Sequence, residues 1–235
     1  MKWRVLVALS LAELLGIAVW FSASAVVQDL SATWKLTTGE QAWLTMTVQA
    51  GFVAGTLLSA LTNLPDLVSA RKLFAASALV GAATNAAIPL FSAGIESALV
   101  LRFLTGVAFA GVYPPGMKIM ASWLGENRGM AIGVLVGALS AGSAAPHLLK
   151  TIGSPDWQTV MLIASGCSVV AGAICLLFVE DGPHLAKGAR FDWKYVGKAL
   201  SHRGIRLANF GYLGHICGMD LGARLPTSEF RADRC

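Results

Sequence analysis

Two ionisable side chains stand where their neighbours offer them no water. Glu13 lies in RVLVALSLAELLGIAVWFSASAVV (4–27), and Arg102 lies in SALVLRFLTGVAFAGVYPPGMKIMA (97–121). At 1.5 Å of rise per residue, Glu13 is about 13 Å into its run. A carboxylate that deep in hydrocarbon costs a few kcal/mol even on the most lenient insertion scale. It must face a cavity, pair, or hold a proton. One reading is therefore a carboxyl that couples proton movement or touches a solute, and the other is a carboxyl hydrogen-bonded inside a helix bundle. Arg102 lies about one turn into its run, where its bland reading is snorkelling to the interface. Downstream of it, Gly106, Gly111, Pro114, Pro115 and Gly116 interrupt the helix. An interrupted helix frees backbone groups, which is tolerated only against protein or a water-filled cavity. Tyr113 and Lys118 flank that interruption, and Asn85 stands in a third apolar run with Pro89. Glu13, Arg102, Asn85, Tyr113 and Lys118 are the candidates for solute contact or proton coupling.

These positions require membrane-spanning helices to hold them. The chain is 55% hydrophobic and only 13% charged, against about 25% charged in soluble domains. Six runs reach the roughly 20 residues that cross a hydrocarbon core: 4–27, 41–62, 73–93, 97–121, 129–149 and 157–179. With the N-terminus inside, Lys2, Arg4, Arg71, Lys72 and Arg128 fall inside, as do Lys187, Arg190, Lys194 and Lys198; Lys35 and Lys150 remain outside. That asymmetry predicts a multi-pass protein of the cell inner (plasma) membrane with a cytoplasmic N-terminus. It also explains the net charge of +5 as topology, with no nucleic-acid partner implied. A signal peptide ending near Ala23-Ser24-Ala25 is disfavoured, because Glu13 interrupts the apolar stretch.

Enzyme chemistry finds no support. Ser140, Ser143 and His147 lie in GALSAGSAAPH, but the G-x-S-G of intramembrane serine proteases is missing. Nothing aims a base at a nucleophile. Cys167, Cys175, Cys217 and Cys235 have no metal-ligand spacing. Neither a catalytic residue nor a metal or cofactor is expected. A pore ring or filter, which a channel would need, is not legible.

The six runs read as two threes. The first run of each triplet carries one ionisable residue, Glu13 or Arg102. The second carries spaced glycines, Gly51 and Gly55 in one and Gly133, Gly137 and Gly142 in the other, expected to serve helix packing. Three-helix repeats in opposite orientation are a transporter design. NLPDLVSARKLF (63–74), LRFLTG (101–106), the Gly133/Gly142 spacing and the charged stretch after the sixth run then carry a resemblance. Over about 4–215, the chain resembles the N-terminal half of a major facilitator superfamily transporter. In the loop motif Asp66, Arg71 and Lys72 match, while Leu67 and Ser69 depart from it, and the later Gly-Pro of the fifth helix is absent.

The resemblance implies an all-α polytopic fold, six transmembrane helices as two three-helix inverted repeats. It implies a secondary transporter of a small solute working by alternating access, with proton coupling open. It assigns Asp66, Arg71 and Lys72 to a loop that latches the halves during conformational change. The domains expected are a bundle over 1–180, a cytoplasmic linker over 181–204, and an aborted seventh helix with an aberrant polar tail over 205–235. ANFGYLGH (208–215) opens like a helix, and the Arg/Asp-rich end does not continue it. Truncation or frameshift near 215 is the expectation. The alternative function is a non-transporting fragment acting only with another chain, a second half-transporter or a second copy. Lipid bilayer and small solute are the other partners.

Overall fold

The computed structural model describes residues 2–123, 128–152, 155–182, 201–207 and 210; the side chains of Pro65, Asp66 and Arg128 are outside that description. The backbone divides into two compact units, 1–189 and 190–235. In the second, residues 203–207 are helical and exposed, and the Arg206 amide donates to the His202 carbonyl at 3.0 Å. The linker expected over 181–204 and the tail expected over 205–235 lie mostly outside the described residues.

The first unit is helical, and six of its helices are long and apolar enough to cross a membrane. Span one is α1 (Lys2–Gly16) and α2 (Ala18–Ala25), prolonged by α3 (Val27–Trp34). Span two is α4 (Thr38–Thr62), followed by the turn α5 (Leu64–Leu67). Span three is α6 (Ala70–Phe91), and span four is α7 (Ile95–Phe109) with α8 (Tyr113–Trp123). Spans five and six are α9 (Arg128–Thr151) and α10 (Trp157–Phe178).

Local chemistry sets the ends. Thr37 and Glu40 form a reciprocal capping box at the start of α4, the Thr37 amide reaching Glu40 Oε2 at 2.7 Å. Lys35 and Asn63 end α3 and α4 in the left-handed conformation, at φ 54° and 50°. Asp156 caps α10, and bonding to Thr159 holds its carboxyl below the usual range. Span one departs from the single run expected: it breaks at Ile17 and Val26. At the first break the Trp20 amide turns back to the Ile17 carbonyl at 3.0 Å, a three-residue bond.

The helices pack with spans one and four in the middle. Span four lies on α4 and α6, and span one on α9 and α10. α6 lies on α10, so spans three and six pair on one side while spans two and five flank the centre. Lipid gives helices no hydrophobic reason to associate, so close backbone approach must do it. At the α4–α7 crossing, a Cβ on Gly51 or Gly55 would strike the carbonyl of Phe103 or Val107, and one on Gly106 would strike that of Val48. Gly142 likewise meets the Leu14 carbonyl of α1. Gly133 and Gly137 face open space among the described residues.

Two cores result. One, toward the Lys2 end, gathers Leu9, Phe74, Ile119, Met120 and Leu135; the other, toward the Trp34 end, gathers Leu30, Leu44, Ile88, Trp157 and Met161. The second is fastened by the edge-on pair Trp34–Trp157, 5.6 Å between ring centres, and by the ion pair of Lys150 with Asp29.

Candidate functional site

Arg102 is wholly buried in α7. Its guanidinium donates from Nη1 to the Val19 carbonyl at 2.9 Å, from Nη2 to that of Trp20 at 2.6 Å, and from Nε to that of Leu44 at 3.3 Å. The planar fork thus ties span four to spans one and two. It does not snorkel. Among the described residues it has no carboxylate partner, so its charge is solvated by carbonyl dipoles and is not neutralised.

The Val19 carbonyl is shared. The single Ser22 hydroxyl hydrogen is shared between it at 2.9 Å and the Asn85 side-chain oxygen at 2.8 Å. Asn85 in turn donates from Nδ2 to the Met161 carbonyl at 3.0 Å and to Ser165 Oγ at 2.9 Å. One buried polar seam therefore runs from span six through spans three and one to Arg102 and span two. It brings Arg102 and Asn85 together. Ser22 and Ser165 were not among the sequence candidates: a serine in an apolar helix carries no sign of which backbone or side chain it will meet. Ser168, which donates to the Ala78 carbonyl at 2.9 Å, is a further tie of that kind.

Glu13 is elsewhere in span one, also wholly buried. Neither carboxyl oxygen has a hydrogen-bond partner among the described residues. The carboxyl fills the room left by Gly116 on α8, where any Cβ would collide with its Oε1. The break in span one, at Ile17, follows four residues later, and the break in span four lies just before Gly116. The two breaks touch: a Cβ on Gly16 would stand 3.7 Å from Val112 Cγ1. In span four, Pro114 and Pro115 have no amide hydrogen, so the carbonyls of Ala110 and Gly111 lose their helical donors. The Gly111 and Val112 amides instead close three-residue bonds to Ala108 and Phe109, both at 2.9 Å.

Beside these breaks, Trp20, Phe52 and Phe109 from spans one, two and four form a ring cluster. Trp20 stands edge-on to both phenylalanines at 5.4 Å, and Phe52 lies 6.2 Å from Phe109. Trp20 and Phe52 are half-buried, as are Tyr113 and Lys118 on α8. The rings were missed because an aromatic in an apolar run reads as core until its neighbours are known.

At the Lys2 end, Arg71 donates from Nη1 to the Val179 carbonyl at 3.3 Å, while Lys72 is exposed. Ser69 Oγ bonds Asp181 at 2.7 Å, Trp123 Nε1 bonds the Glu180 carbonyl at 2.7 Å, and the Gly182 amide bonds Ser122 Oγ at 3.0 Å. The residues after α10 are thus strapped to the ends of α6 and α8. The side chain of Asp66 is outside the description. Ser140 and Ser143 spend their hydroxyls on their own helix, at the carbonyls of Val136 (3.0 Å) and Ser140 (2.7 Å), and His147 is exposed.

Comparison with known proteins gives consistent relations. The sequence pattern of the Major Facilitator Superfamily matches residues 9–227. Two proteins of Agrobacterium vitis, each named "Putative tartrate transporter", are 30% identical over a stretch that covers 41% of this chain and 24% of theirs. Two crystal structures of a bacterial homolog of the human lysosomal transporter Spinster share the fold. The inward-facing occupied form gives a TM-score of 0.65 at 17% identity, over 79% of this chain and 46% of that one. The inward-facing unoccupied form gives 0.66 at 17% identity, over 90% and 49%. The matched stretches thus cover about half the length of these solved structures and about a quarter of the curated relatives.

Proposed function

Because the chain belongs to the major facilitator superfamily, we propose that it is a proton-coupled secondary transporter of a small organic solute, working by alternating access at the cytoplasmic membrane. The observation that carries this reading is Glu13: wholly buried, without a hydrogen-bond partner among the described residues, and packed on Gly116 where the breaks of spans one and four meet. The carboxyl there has no hydrogen-bond partner among the described residues, and burying it charged is costly. Parting α1 from α8 wets the carboxyl and lets the proton leave. Proton binding is thereby linked to the packing of the two central spans, the linkage a coupled carrier needs. The transport-related names of the relatives support a solute carrier in place of an enzyme. Their tartrate assignment, with the charge of Arg102, supports an organic anion.

The test is reconstitution into liposomes with an internal pH dye and a panel of organic acids. Solute-dependent proton entry is expected, and Glu13→Gln should remove it while leaving solute exchange. Undiminished proton entry in that variant would sink the role of Glu13.

A second reading is that this chain acts only in association with another six-helix half or a second copy. The open faces favour it: spans two and five are 22% and 17% buried, against 44% to 61% in the other four, and Gly133 and Gly137 offer flat, unoccupied backbone.

A further inference from the structure

The chemistry of the solute can be narrowed, on the premise that the chain binds one. Spans three and six cover one side of the central pair. The ring cluster lies among spans one, two and four, Trp20 just after the break at Ile17 and Phe109 just before the break that follows α7. Trp20 and Phe52 are half-buried, and Trp20 stands edge-on to both Phe52 and Phe109. Directly behind the Trp20 backbone is Arg102, bonded to its carbonyl at 2.6 Å. The guanidinium itself is sealed off, with all three bonds going to carbonyls. It cannot form a fork with a carboxylate in this arrangement. Its charge still acts through the low-dielectric interior, since no described carboxylate neutralises it. The face therefore offers two things at once: apolar ring surface for contact, and behind it a positive field whose guanidinium is already committed to carbonyls.

We propose that this face takes a monoanion with an apolar, preferably aromatic, body, held against Trp20 and Phe52 and attracted by the charge of Arg102.

The experiment is calorimetric titration of the purified chain in lipid nanodiscs with three probes. Phenylacetate carries ring and charge, 2-phenylethanol the ring alone, and malate charge and hydroxyl without a ring. Phenylacetate should bind at least about tenfold more tightly than either of the others. Trp20→Ala and Phe52→Ala should each weaken it about tenfold, a size set by aromatic contact energies with lost burial. Trp20→Tyr should restore most of the loss, which a merely misfolded Trp20→Ala would not explain. The inference is overturned if malate or the alcohol matches phenylacetate, if phenylacetate does not bind, or if removing the rings leaves its affinity unchanged. Uptake in liposomes separates the two levels. Movement of malate but not phenylacetate refutes the solute class alone, whereas no movement of any panel acid refutes the transporter reading beneath it.

Discussion

At the scale of residues, the buried polar groups divide into satisfied and unsatisfied. Asn85, Ser22, Ser165 and Arg102 satisfy one another or nearby carbonyls, and Glu13 finds no hydrogen-bond partner among the described residues. Interhelical hydrogen bonds in membranes average about 0.6 kcal/mol each. Asn85→Leu removes three of them, so a loss of about 2 kcal/mol is expected, measured as the unfolding free energy in mixed micelles. Ser165→Ala should cost about a third of that. Equal effects of the two would contradict the seam as drawn. Which residues to suspect was partly visible in the sequence: a Glu and an Arg inside apolar runs are conspicuous on cost alone. What they meet was not. Arg102 could as well have snorkelled, and only the approach of the Val19, Trp20 and Leu44 carbonyls decides otherwise. Serines and rings gave no such warning, since both are ordinary in membrane helices.

At the scale of elements, the same residue type does opposite things on different helices. Gly51 and Gly55 let α4 settle onto α7, while Gly133 and Gly137 on α9 meet nothing among the described residues. Gly51→Leu should therefore destabilise the chain by about 3 kcal/mol or abolish its folding, through overpacking against the Phe103 carbonyl. Gly133→Leu should leave stability within about 0.5 kcal/mol. Thermal denaturation in detergent by thiol-reactive dye separates them; a large loss at Gly133 would mean that α9 already packs against something. Glycine spacing predicted close packing for both helices because sequence shows the periodicity and not the partner. The helices themselves were legible, since apolar length alone fixes a span. The interruption of span four was legible too, written in two prolines. The break at Ile17 was not, because Gly16 in an apolar run is tolerated as often as it bends a helix.

At the scale of the whole molecule, a multi-pass bundle with six crossings is in hand, and its orientation rests on the Lys and Arg asymmetry. In a variant freed of native cysteines, Lys35→Cys should react with a membrane-impermeant maleimide added to intact cells. Lys72→Cys should react only after the cells are opened. The reverse pattern would invert the topology and place Glu13 nearer the outer surface. The likeness to half of a major facilitator fold was readable in the sequence, and the family's pattern matches residues 9–227. The layering, with spans one and four central, was not: it depends on which faces accept close backbones.

The meeting of Gly16 with Val112 has a mechanical consequence. Span four lacks two rungs of its main-chain ladder at Ala110 and Gly111, and span one narrows to a three-residue turn at the same height. The bundle is thus jointed across its middle, with one stiff block around Phe74 and Met120 and another around Leu44 and Met161. A twist applied at either end would be absorbed at this joint before it bent any intact helix. The group standing beside the joint is the Glu13 carboxyl, packed where Gly116 leaves room for it, so any motion at the joint must move that carboxyl too.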